Sequence, residues 1–124
     1  MMSYKQSIIH NTSFGFINVD GVRYNHDIII TAEGKVKKRK KKLSKAQYGT
    51  SHIISLDEIR YVYQKDSEGI VIGSGQYGIA RLSDEAIEFL DNRKCNVRLS
   101  PTPDAIKDWN RTRGKWIGLF HITC

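Results

Sequence analysis

The chain has 124 residues, 40% hydrophobic and 27% charged, which suits one folded domain with its own core and excludes a disordered chain. Its formal net charge is +7, but eight basic residues (Lys35, Lys37, Lys38, Arg39, Lys40, Lys41, Lys42 and Lys45) crowd one segment, while the other 12 face 13 acidic residues and leave the body at −1. Two cysteines, Cys95 and Cys124, exclude a disulfide framework, and no apolar run nears the ~20 residues of a membrane helix.

In chain order, the first dozen residues are polar and read as loosely held. Phe14-Gly15-Phe16-Ile17-Asn18-Val19 reads as a strand, Asp20-Gly21 as a hairpin turn, and Val22-Arg23-Tyr24 as the start of the return strand. Ile28-Ile29-Ile30-Thr31 is a further buried strand, closed by Glu33-Gly34. In the basic segment that follows, Val36 and Leu43 are the only apolar points, too few to hold a helix against a core. An extended edge ribbon or a loop is expected there, and dense lysine keeps an edge strand from pairing with neighbours. Gln47 to His52 read as connection.

Ser55-Leu56-Asp57-Glu58 has the form of a capping box, and Leu56, Ile59, Val62 and Tyr63 carry helical spacing over residues 56–65. Ile70-Val71-Ile72, bounded by glycines, reads as a strand buried on both faces. The turn after it spells G-x-G-x-x-G through Gly73, Gly75 and Gly78. A short strand is expected at 79–82 and a helix at 84–93, with Ser83 as N-cap. Asn96 to Leu99 form the next strand. Thr102 then caps a helix with Pro103 in its first position and Ala105, Ile106 and Trp109 facing inward. Trp116 to Thr123 is a last strand, apolar on both faces and therefore internal to its sheet. Strands first, then alternating helix and strand, give an α/β domain: a central mixed sheet with helices packed on it and an N-terminal antiparallel hairpin.

The pattern joins Phe14-Gly15-x-Ile17-x-Val19-x-Gly21 and Asp27-Ile28-Ile29-Ile30 with Ile70-Val71-Ile72-Gly73-x-Gly75. It continues through Pro101-Thr102-x-x-Ala105 and Asn110 to Phe120-His121-x-Thr123-Cys124. In these residues the chain, from residue 10 to 124, closely resembles the adipogenesis-associated domain family, which includes mitochondrial respiratory complex I assembly factors and uncharacterised microbial members. The resemblance implies a single three-layer domain over 1–124, with no established catalysis and no cofactor. It also implies a strand bearing Trp and Arg where this chain has the lysine run 37–42.

The chemistry-bearing residues have plain alternatives. A dinucleotide fingerprint needs a helix opening at its glycines and an acid at the tip of the next strand. Here that strand ends in Leu99-Ser100-Pro101, so the glycine turn is read as structural, beside a small pocket. His121 and Cys124 point to opposite faces of one strand, which disfavours a thiolate–imidazole pair. The histidines are too scattered for zinc. Asn110 is expected to reach a backbone carbonyl.

The favoured reading is a non-enzymatic binding or assembly module in the cytoplasm, a reducing compartment, with no membrane span and no leader pattern. Its pocket would be lined by Gly73, Ser74, Gly75, Thr102 and His121, near the carboxyl ends of the parallel strands. The alternatives are an electrostatic nucleic-acid or acidic-protein binder acting through Lys35, Lys37, Lys38, Arg39, Lys40, Lys41, Lys42 and Lys45, and an enzyme or phosphate binder at Gly73–Gly78 with His121.

Overall fold

Continuous burial along the inner strands sets the architecture, which a computed structural model describes for residues 7–124. Among these residues there are ten strands and four helices. In chain order they are β1 (Ile9–Ser13), β2 (Phe16–Val19), β3 (Val22–Tyr24), β4 (Ile28–Ile30), β5 (Val36–Lys38), α1 (Lys42–Tyr48), β6 (Ile53–Ile54) and α2 (Leu56–Val62). After them come β7 (Gly69–Ser74), β8 (Arg81–Leu82), α3 (Asp84–Asn92), β9 (Asn96–Ser100), α4 (Thr102–Arg111) and β10 (Trp116–His121).

The central sheet runs β5-β4-β10-β7-β9. Strands β10, β7 and β9 are parallel, and β4 and β5 are added antiparallel at one edge. Both expected internal strands, β7 and β10, are buried at every position. Their side chains divide by the period of two. Val71, Trp116 and Phe120 enter one core with Ala105, Ile106 and Trp109 of α4 and with Ile9, Ile17 and Val19. Ile70, Ile72, Ile117 and Leu119 enter the other, against Ile59 and Val62 of α2 and Ala86 and Leu90 of α3. The fold is therefore a mixed α/β sandwich with an N-terminal three-stranded antiparallel sheet, β1-β2-β3.

Two expectations are corrected. Residues 9–12, read as loose, belong to β1, which is paired with β2 and tied to α4 because the Asn110 amide bonds both the Ile9 N–H (2.9 Å) and the Ile9 carbonyl (2.8 Å). The first six residues of that stretch lie outside the described ones. The basic segment is not ribbon or loop throughout: β5 is the expected edge strand, but Lys42–Tyr48 is helical. An apolar stripe does not hold α1; the fully buried Ser44 does, through hydrogen bonds to the start of α2.

Candidate functional site

The sheet register itself assembles a buried polar cluster. Phe120 pairs with Ile28, and Ile28 with Lys38. One step beyond, His121, Asp27 and Arg39 therefore stand side by side, and the Arg39 N–H continues the ladder by donating to the Asp27 carbonyl at 3.0 Å. Asp27 Oδ2 accepts from the Arg39 guanidinium at 2.9 Å and lies 2.7 Å from His121 Nδ1, while Oδ1 accepts the Ile122 N–H at 2.8 Å. Helix α2 contributes Glu58, which Arg39 grips with two bonds, Nε to Oε2 at 2.5 Å and Nη2 to Oε1 at 3.0 Å. Nη2 also donates to the Ser51 carbonyl at 2.8 Å. Ser44 donates to Glu58 Oε1 and accepts the Ser55 N–H at 2.9 Å. Ser55 caps α2 as expected, but the Glu58 carboxylate turns inward to Arg39 rather than back to the cap.

Every ion pair among the described residues belongs to this cluster. The Arg39 and Glu58 side chains are fully buried, so each charge needs its partners to offset desolvation. Burial alone would raise the Asp27 carboxyl. The hydrogen bond and charge of His121, the Ile122 N–H and the charge of Arg39 outweigh it and hold Asp27 below the usual carboxylate range. Burial likewise works to lower Arg39, and the bond and charge of Glu58, then of Asp27, raise it instead. An acid with a depressed folded pKa stabilises the fold above its unfolded value, about 3.9 for Asp, and that stability is lost as pH falls through the folded value. Accordingly, the urea midpoint should fall on acidification below about pH 4, and Asp27→Asn should flatten that dependence. An equal acid slope in the two proteins would show that Asp27 carries no part of it.

The chain Asp27–His121–Thr123 runs carboxylate, imidazole, hydroxyl, with Thr123 Oγ1 3.2 Å from His121 Nε2. That order can activate a hydroxyl. Here the Asp27 oxygen that faces the imidazole also accepts from the Arg39 guanidinium, so it is already engaged by a permanent cation. The His52 ring stands edge-on to His121, with centroids 5.5 Å apart. No group of three or more His, Cys, Asp and Glu side chains among the described residues is placed to hold a metal ion.

The residues of the expected pocket do come together, and all five are buried. Protein atoms occupy the space between them. The Thr102 hydroxyl donates to the His121 carbonyl at 2.5 Å and accepts the Gly75 N–H at 2.9 Å. Helix α4 accordingly starts at Thr102 itself, with Pro101 in the cap position in place of the expected Thr102. A Cβ on Gly73 would meet Thr102 Oγ1 at 2.7 Å, and one on Gly75 would collide with the Cys124 carbonyl group. Ser74 is sealed in, its hydroxyl without a hydrogen-bond partner among the described residues. No helix opens at Gly78; the next element is β8. The turn's N–H groups are aimed at residues 123 and 124: Gln76 at the Thr123 carbonyl (2.6 Å), Tyr77 and Ile79 at the Cys124 oxygen (3.2 Å each). A phosphate-cradle geometry is thus satisfied by protein oxygens.

The basic segment splits in two. Lys35, Lys37, Lys38, Lys40, Lys41, Lys42 and Lys45 are all exposed. Arg39 is 4% exposed, so its place among polyanion-binding residues is corrected: a guanidinium bound to two carboxylates is not offered to a ligand. Sequence reading missed the cluster, because Asp27 stands out only as the residue ahead of a buried strand and Glu58 reads as a capping partner. The available signal was one arginine among lysines, the side chain suited to gripping a buried carboxylate with two bonds.

Among the described residues no helix is long and apolar enough to cross a membrane. The fold is similar to that of a conserved hypothetical protein of Pyrococcus horikoshii, 30% identical with a TM-score of 0.88, over 94% of this chain and 98% of that one. A protein named MT938 is 28% identical with a TM-score of 0.82, over 96% of this chain and 100% of that one. A Bordetella parapertussis protein, 19% identical with a TM-score of 0.67 over 94% and 96% of the two chains, shares the fold. The model of a family described as protein of unknown function (DUF498/DUF598) matches residues 9–116, a span that runs from β1 into β10. The chain therefore belongs to the DUF498/DUF598 family.

Proposed function

We propose that this protein is a non-enzymatic binding module of the assembly type, as its resemblance to adipogenesis-associated domain proteins and complex I assembly factors implies, and that it docks an acidic partner on the lysine face of β5 and α1. The observation that carries the reading is the contrast between Arg39 and its neighbours. Arg39 anchors the segment from inside, while seven lysines around it are exposed and form no ion pair with a described carboxylate. A flexible lysine tail would lose conformational entropy on binding; a ridge held by a buried arginine has already lost it. The two free thiols, Cys95 and Cys124, support a reducing compartment, and we assign the protein to the cytoplasm. The test is affinity for a polyglutamate peptide at two salt concentrations. Changing Lys37, Lys38, Lys40, Lys41 and Lys42 to serine, with Arg39 kept, should abolish a salt-sensitive interaction and leave the melting temperature nearly unchanged. Equal affinity of the two proteins would remove the ridge as the docking face.

A further inference from the structure

We propose that the partner class of this lysine ridge is single-stranded nucleic acid, with Tyr61 as the platform on which a base stacks; this rests on the reading of the ridge as a binding face. The sequence of the basic run contains no aromatic residue. Packing of α2 beside β5 supplies one. Tyr61 is 43% exposed, with Lys40 Nζ 5.0 Å and Lys37 Nζ 6.0 Å from its ring centroid. A groove of about 370 Å³ runs past the ring between Thr31, Lys35, Lys37 and Gln64. A second, of about 350 Å³, lies among Lys38, Lys40, Lys41 and Lys42. Glu33 also lines the first groove, where its carboxylate accepts from Gln64 Nε2 at 2.9 and 3.1 Å, and it sets the end of the cationic track.

Cations tracking a backbone beside an exposed aromatic face are the two parts a single-strand site needs. The interactions of Lys37 and Lys40 with an exposed ring are weak, so either ammonium can swing to a phosphate and free the ring face. The other polyanions use only half of this arrangement. A duplex hides its base faces in the stack, and neither an acidic peptide nor an anionic headgroup brings a flat π-surface to the ring.

The test is fluorescence anisotropy of the full chain with a labelled oligothymidylate of about 16 nucleotides, the upper end of a single-site footprint. A duplex of equal length, a polyglutamate peptide and phosphatidylserine-containing vesicles are the competing probes. The single strand should bind best. Tyr61→Ala should weaken it roughly 5- to 150-fold, the range of one base–aromatic stack, whereas Tyr61→Phe keeps the ring and the affinity. Changing both Lys37 and Lys40 to Gln should lower the salt slope by about 0.7 for each phosphate that is no longer neutralised. Unchanged oligothymidylate affinity in Tyr61→Ala, or tighter binding of duplex, peptide or vesicle, overturns the proposal. Polyglutamate binding that still depends on the lysines would then preserve the broader docking reading, and lysine changes that alter no probe would sink both.

Discussion

Replacing Arg39 with methionine should lower stability by about 3–5 kcal/mol, the cost of removing one partner from a buried ionic group, while Lys40→Met, one residue away, should stay within about 0.5 kcal/mol. The two residues belong to one basic run, yet they occupy opposite environments. Lys40 is exposed. Arg39 connects Asp27 just before β4, Glu58 on α2 and the Ser51 carbonyl. Its removal leaves two carboxylates inside the protein without the guanidinium they share, and one of them, Glu58, is also a partner of Ser44 in α1. Urea denaturation measures both variants. Arg39→Lys should recover little, since a single ammonium cannot reproduce the fork that meets both Glu58 oxygens. A second change, Glu58→Leu on top of Arg39→Met, should recover part of the stability by removing one stranded charge. If Arg39→Met melted like Lys40→Met, the cluster would not be what holds β5 and α1 to the body.

What the chain order revealed depended on the kind of force at work. The inner strands were legible because burial on both faces leaves continuous apolar runs, as in Ile70-Val71-Ile72 and Trp116 to Phe120. The hairpin turn at Asp20-Gly21 and the caps at Ser55 and Ser83 were legible because local backbone chemistry decides them. Helix α1 was not, since its anchor is a serine whose partners lie in another element. The same holds for the buried cluster. Asp27, Arg39, Glu58 and His121 are adjacent only once strand order and register are fixed, and neither can be read from spacing along the chain. The glycine turn shows the converse: it suggested a phosphate because loop geometry is local, while the oxygens that fill it come from residues 123 and 124. At the ends of β7, β9 and β10, where a pocket was expected, Thr102, His121 and Cys124 crowd the glycines.

That occupancy can be measured at Gly75. Alanine there should cost about 2–5 kcal/mol, combining left-handed backbone strain of about 1–2 kcal/mol with overpacking of about 1–3 kcal/mol. Gly15 separates the two contributions. Both glycines have positive φ, +102° at Gly75 and +89° at Gly15, but a Cβ at Gly15 meets nothing within 4 Å. At Gly75 it would reach the Cys124 carbonyl oxygen at 2.5 Å and His121 Cδ2 at 2.9 Å. Gly15→Ala thus reports strain alone, and the excess at Gly75 reports packing against the last residues. Relief of that clash displaces Cys124, so thiol labelling of Gly75→Ala in the native state should be faster at Cys124 and unchanged at the buried Cys95. The Tyr77 and Ile79 N–H groups would lose their acceptor in the same step, which makes displacement of Cys124 costly rather than free. Equal destabilisation of the two variants, with Cys124 labelled at the wild-type rate, would mean that residues 122–124 do not close the turn and that the crevice beyond β7 is open to a ligand.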